Sequence, residues 1–207
     1  MGRHSQITYW CHEIIQSQAA KSGIYIDATM GKGKDTLFLC KLAGESGKVL
    51  AFDVQPEALT ATRDLLKKQG CWKDMQGACI RNSEEQEKNQ DSRLFLIRDG
   101  HEHMDRYAES EGIDVICFNF GYLPGGDHNI ATKADTSIEA ITKGLKLLKP
   151  GGMMSLCIYS GGDTGFEEKN KILEHIKNLP SGEYTVIVNA YYNRENNPPI
   201  PVFIFKS

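Results

Sequence analysis

The run Ile24-Tyr25-Ile26-Asp27-Ala28-Thr29-Met30-Gly31-Lys32-Gly33-Lys34-Asp35-Thr36 decides the fold. Its first six residues are β-branched and aromatic enough for a strand, Gly31 and Gly33 allow a tight turn, and a helix is expected from Asp35 to about Leu42. That order opens an α/β unit in which the backbone can approach a ligand at the turn and the helix start offers N–H groups. The pattern does not match the two common phosphate binders. Thr36 stands where the third glycine of the dinucleotide fingerprint would fall, and no GxxxxGK[ST] stretch occurs. A tight turn that binds nothing is the bland alternative.

Working outward, Lys48 to Asp53 repeats the strand pattern, and Pro56 at a first helical position opens a helix from Glu57 to Lys68. Upstream, Ile7, Trp10, Cys11, Ile14 and Ile15 recur at helical spacing between Ile7 and Ala20, the mark of an amphipathic helix. Downstream, strands are expected at Leu94 to Ile97, Ile113 to Asn119 and Met153 to Tyr159, with a short helix near His101 to Tyr107. Capping-box spacings at Thr132-Lys133-Ala134-Asp135 and Thr164-Gly165-Phe166-Glu167 start two further helices. The first runs to the stop at Lys149-Pro150-Gly151-Gly152 and the second to about Asn178. Residues 82 to 92 contain no apolar side chain, so Gly70 to Ser92 reads as a mobile surface loop.

Strands alternating with helices imply a mostly parallel sheet with right-handed crossovers. The last two strands, Tyr184 to Tyr191 and Val202 to Phe205, are joined by Tyr192 to Pro201, too short for a crossover helix, so they form an antiparallel hairpin. The expectation is one α/β domain over residues 1–207: a seven-stranded Rossmann-like sheet with a terminal hairpin and a polar loop insertion at about 71–93. Methyltransferases have this layout, whereas dinucleotide dehydrogenases usually end in parallel strands.

Composition sets limits. The 207 residues are 40% hydrophobic and 25% charged, which excludes a disordered chain, a collagen-like repeat or a disulfide miniprotein. A net charge of −3 means that a nucleic acid would be held by a local basic patch, with Lys67, Lys68, Lys73, Arg98, Arg106 and Arg194 as candidates and scattered solvated lysines as the alternative. Six cysteines without a CxxC pair read as small buried hydrophobes in a reducing cytosol. No segment approaches the roughly 20 apolar residues of a membrane span, so a cytoplasmic protein without a membrane partner is expected. No CxxC or HxxxH spacing suggests a metal. Monomer and homodimer both stay open.

Four positions fall at one edge of such a sheet. Asp27 closes the first strand, where a carboxylate suits an α-amino group. Asp53 closes the second, roughly 20 residues past the glycines, where it suits ribose hydroxyls or caps the next helix. Asp99 and His101 follow the third and suit an adenine, or Asp99 caps the helix beyond. The loop Asn119-Phe120-Gly121-Tyr122-Leu123-Pro124-Gly125-Gly126-Asp127-His128 follows the fourth. An amide there can hold a nucleophilic nitrogen in line with a methyl group, and Phe120 or Tyr122 can stack on a base; a plain glycine-rich turn is the alternative.

DATMGKGKDT, AFDVQ, RDGHEHM, FNFGYLPGGDH, YSGGDTGFEEK and NRENNPP together resemble the bacterial "putative rRNA methylase" family. Its characterised members methylate 5-aminomethyl-2-thiouridine at the tRNA wobble position. The resemblance implies S-adenosylmethionine as cofactor and the tRNA anticodon arm as partner. It places Asp27, Gly31, Lys32, Gly33 and Lys34 at the methionine side, Asp53 and Gln55 at the ribose, and Asp99 and His101 at the adenine. Asn119, Tyr122, Asp127 and His128 become the catalytic candidates, with Phe120, Gly121, Leu123, Pro124, Asn196, Asn197 and Pro198 toward the substrate. Lys32 and Lys34 depart from the Asn and the His or Asn usual there, and the Cys71 to Arg93 insertion is longer than usual. His12 is a third candidate to take the substrate's proton, besides Asp127 and His128. The rivals are a methyltransferase acting on rRNA or another amine, a nicotinamide oxidoreductase and a non-catalytic RNA-binding module.

Overall fold

The computed structural model describes residues 7–120, 133–159, 165–195 and 197–207. Helix α1 (Ile7–Gln18) precedes β1 (Ile24–Asp27), α2 (Lys34–Ala43), β2 (Lys48–Phe52) and α3 (Pro56–Lys68). Then come α4 (Cys71–Asp74), β3 (Ala78–Ile80), α5 (Ser83–Lys88), β4 (Leu94–Ile97), a 3₁₀ helix (His101–Arg106) and β5 (Ile113–Phe120). The chain closes with α6 (Ala134–Leu147), β6 (Leu148–Ile158), α7 (Gly165–Lys177), β7 (Tyr184–Val188) and β8 (Ile200–Lys206).

The strands form one eight-stranded sheet in the order β3-β4-β2-β1-β5-β6-β8-β7. Among the described strands β8 alone runs in the reverse direction, antiparallel to β6 and β7, pairing Ile158 with Ile200 on one side and Val188 with Val202 on the other. The expected terminal hairpin is therefore present, and its 189–199 connection leaves from the carboxyl edge. From β1 the chain winds outward through β2 and β4, then returns to place β5 on the other side of β1, with Asp27 beside Cys117. This reversal opens the crevice in which α/β sheets bind ligands.

The eighth strand corrects the expected count of seven. It is β3, inside the segment expected to be a loop, which also carries α4 and α5. Three residues are too few to show periodicity, yet Ala78 and Ile80 are buried, and Ile80 pairs with Ile97 of β4. Arg93 ties the segment down, donating to the carbonyls of Gly44 (3.0 Å), Gly47 (3.3 Å) and Asp74 (2.6 Å). At the other end of the core, β6 begins at Leu148 rather than Met153. The Lys-Pro-Gly-Gly stop is a bulge within it, with Gly151 at a φ of +78°.

Two apolar clusters sandwich the sheet. On one face Ile26, Phe52, Ile97, Ile116 and Met154 pack with Ile141 and Leu145 of α6 and Ile172 of α7. On the other, Val49, Leu96 and Val115 pack with Cys11 and Ile15 of α1 and Leu39 of α2. Cys11, Cys40, Cys117 and Cys157 are buried as expected, but Cys79 is exposed; all six are free thiols. Helix α6 starts after Lys133 without a side-chain cap, and Thr132 and Thr164 lie outside the described residues. Among the described residues no helix is long and apolar enough to cross a membrane.

Candidate functional site at the carboxyl edge

Asp27 ends β1 wholly buried beneath the glycine turn. One of its oxygens accepts from the Thr29 N–H (3.2 Å) and the other from the Thr36 hydroxyl (2.6 Å). The turn itself needs glycine: φ is +49° at Gly31 and +76° at Gly33, and a Cβ on Gly33 would lie 2.9 Å from the Thr62 Cα. Asp53 braces this turn from the end of β2, accepting from the Gly31 N–H (3.0 Å) and the Gln55 N–H (2.9 Å). It does not cap α3: Gln55, itself buried, occupies the cap position with no side-chain cap bond. Lys32 and Lys34 are exposed.

The electrostatics of the pair follow from burial. Desolvation, then the charge of Asp35, pushes the Asp27 carboxyl up to about 7 against the pull of its two hydrogen bonds. Desolvation also raises Asp53, opposed by N–H groups of the turn and of the α3 start. Asp99 goes the other way. Burial would raise it, but hydrogen bonds from His103 (2.7 Å), Gly100 (2.8 Å) and Tyr107 (3.0 Å) hold it below the usual carboxylate range. Asp99 thus anchors the 3₁₀ helix. Beside it the His101 ring lies edge-on to Phe118 and Phe120, with a buried Nε2 that has no hydrogen-bond partner among the described residues. Burial lowers the His101 pKa.

Across the crevice, Asn119 sits near the end of β5. Its N–H donates to the Thr29 hydroxyl (2.7 Å) and its carboxamide Nδ2 to Asp35 Oδ2 (2.7 Å), so it is tied to the β1–α2 turn twice. The other oxygen of Asp35 accepts from His12 Nε2 (2.8 Å), whose ring stacks flat on Phe38 at 3.9 Å. Desolvation would raise the Asp35 pKa, but the hydrogen bond and charge of His12, with Asn119 and Lys34, lower it. Cys11, Cys117, Ser155 and Cys157 line the cleft below.

Asp35, Thr29 and Thr36 were not among the expected site residues. Nothing local marks Asp35 as more than an acidic residue in the first turn of a helix, a common position because it complements the helix dipole. Glu168 was missed too: it is buried and accepts from the Ser137 hydroxyl (2.7 Å), pinning α7 to α6.

Phe120 is corrected. It is 0% exposed and stacks on Phe118 with ring centroids 5.0 Å apart, so it belongs to the core and offers no face to a base. Gly121, Tyr122, Leu123, Pro124, Asp127, His128 and Asn196 lie outside the described residues. Asn197, exposed with a φ of +46°, and half-buried Pro198 belong to the 189–199 connection at this edge. The basic residues do not form one patch. Lys67, Lys68 and Lys73 belong to α3 and α4 toward the β4 side, while Arg194, over the Tyr191 ring at 4.8 Å, follows β7 at the far end of the sheet.

Comparison with known proteins agrees with this architecture. The chain is 38% identical to a Clostridium thermocellum protein described as a "putative rRNA-methylase", with a TM-score of 0.83 over 96% of both chains. It is 33% identical to a Streptococcus mutans protein described as a "putative methyltransferase" and solved in complex with S-adenosylhomocysteine, with a TM-score of 0.80 over 98% of this chain and 99% of that one. A chloroplastic tRNA (mnm(5)s(2)U34)-methyltransferase of Arabidopsis thaliana is 30% identical over 200 residues, 94% of this chain; the chain spans 66% of that protein's length. The model of the family described as "Putative rRNA methylase" matches residues 49–205, and the chain belongs to that family.

Proposed function

We propose that this protein methylates the amine of 5-aminomethyl-2-thiouridine at wobble position 34 of tRNA, giving the 5-methylaminomethyl product, in the cytoplasm. At the coarser level it is an S-adenosylmethionine-dependent RNA methyltransferase. The name of the Arabidopsis relative supports the finer reading. The observation that carries it is Asn119, a carboxamide held rigidly across the crevice from the glycine turn.

The residues present fit S-adenosylmethionine by their chemistry. The glycine turn gives its backbone room, Asp53 at the end of β2 suits a ribose, and buried Asp27 places a carboxyl that a cation would ionise beneath the methionine side. The His101 Nε2, without a partner among the described residues, is an acceptor suited to an adenine amino group. When bound, the cofactor supplies a methyl group on a sulfonium, an electrophile that needs no metal.

The protein's own groups then have two tasks. Asn119 Oδ1 accepts an N–H of the substrate amine and aims its lone pair at the methyl carbon, so that alignment supplies much of the acceleration. The amine is mostly an ammonium at neutral pH and must first lose a proton, for which Asp127 and His128 are the candidates, since His12 Nε2 is engaged with Asp35. The nitrogen lone pair forms the new N–C bond as the C–S pair returns to sulfur, and the secondary amine leaves as its ammonium.

The test is transfer of labelled methyl from S-adenosylmethionine to three acceptors: tRNA ending at 5-aminomethyl-2-thiouridine, tRNA lacking that group, and small-subunit rRNA. Label confined to the first is expected. Label in rRNA, or in tRNA lacking the aminomethyl group, would replace the wobble reading by another RNA substrate.

A further inference from the structure

Asp35 accepts a hydrogen bond on each carboxylate oxygen from a different direction, His12 Nε2 on one and Asn119 Nδ2 on the other. A carboxylate only accepts, so the Asn119 atom 2.7 Å away is the amide nitrogen, and the carbonyl oxygen lies on the opposite side of the Asn119 carboxamide. A carboxamide without such a partner can turn over and present N–H groups, which cannot accept from an amine. His12 cannot swing freely either, because its ring is stacked on Phe38 with planes 4° apart. Helix α1, the start of α2 and the end of β5 thus meet at one carboxylate, 23 residues from His12 and 84 from Asn119 along the chain.

We propose that Asp35 is a positioning residue for methyl transfer: with His12 holding its far oxygen, it locks the Asn119 carboxamide with Oδ1 toward the acceptor, which makes the site select an N–H-bearing amine. This rests on the wobble-amine reading of Asn119. The lock also links the two halves of the reaction, since Asp35 belongs to the helix that follows the cofactor turn while Asn119 stands on the acceptor side.

Asp35→Asn tests it with little change of volume. With His12 Nε2–H still donating to the one remaining oxygen, the amide nitrogen at position 35 faces Asn119, so the Asn119 carboxamide turns over. The expected result is a fall in kcat of about 100-fold, with the S-adenosylmethionine KM and S-adenosylhomocysteine affinity within threefold and the melting temperature nearly unchanged. His12→Ala is expected to lower kcat by about tenfold, and His12→Gln, which keeps a side-chain N–H donor, to recover most of it. A purely structural role for His12 would instead lower stability in both variants. Independently of turnover, the Asn119 side-chain amide resonances, assigned by their loss in Asn119→Ala, should shift in Asp35→Asn. Unshifted resonances, or a loss of cofactor affinity as large as the loss of kcat, would overturn the proposal. If the wild-type protein leaves the wobble amine unmethylated, the functional reading fails, while the amide resonances still decide whether Asp35 holds Asn119.

Discussion

At the amino edge of the sheet, Asp114 accepts from the Lys149 ammonium (2.9 Å) and from the Ile24 N–H (2.8 Å), and Glu111 pairs with Lys206 (3.1 Å). At the carboxyl edge, Asp27 and Asp53 are held only by N–H and hydroxyl donors among the described residues. Neutral donors orient a carboxylate without cancelling its charge, and burial then raises both groups. One edge is neutralised by the fold itself. The other leaves Asp27 and Asp53 without a cationic partner among the described residues, so a cationic ligand favours their ionised forms, and S-adenosylmethionine brings both a sulfonium and an ammonium.

The sharpest way to break this contrast is at its chemical end. Asn119→Ala should reduce turnover by about 100-fold or more while S-adenosylmethionine affinity, measured by calorimetry, stays within about threefold. Equal loss of both would place Asn119 in the cofactor site. Next, Asp53→Ala removes the acceptor that braces Gly31 and the proposed ribose contact together, so affinity should fall by about 10- to 100-fold.

The charge of Asp27 predicts a pH dependence with a definite sign. Its folded value is raised from 3.8 to about 7, so between these values the ligand-free folded protein keeps a proton that the unfolded chain has lost. This group's contribution to stability therefore declines as pH rises through that window. A cationic ligand favours the ionised form, so S-adenosylmethionine should bind more weakly at pH 6 than at pH 8, by up to about tenfold per unit below 7. Binding should release a proton at the lower pH, and Asp27→Asn should abolish both the slope and the release. At the amino edge the expected effect is smallest. Lys149→Met loses one half-exposed ion pair, so thermal unfolding should register less than about 1 kcal/mol, with cofactor affinity unchanged.

The same contrast explains what the amino-acid sequence reveals. The positions of Asp27 and Asp53 are readable because each closes a short apolar run that reads as a strand, and the end of a strand in an α/β sheet is a place with known chemistry. The antiparallel hairpin follows from a connection too short for a helix. β3 escapes because three residues carry no period, and the Lys-Pro-Gly-Gly bulge because it imitates a helix stop. Asp35 escapes for a different reason, and His12 is legible only as a candidate proton acceptor: what joins them is a contact between α1, α2 and β5 that no local pattern encodes. Phe120 shows the reverse error, since an aromatic side chain beside a glycine-rich loop looks available to a base until the sheet places it in the core.

Nucleoside mass spectrometry of tRNA bearing 5-aminomethyl-2-thiouridine, after incubation with the protein with and without S-adenosylmethionine, tests the central claim most directly. The account predicts a gain of one methyl group on the wobble nucleoside, only when the cofactor is present. An unchanged wobble nucleoside with cofactor demonstrably bound would contradict it.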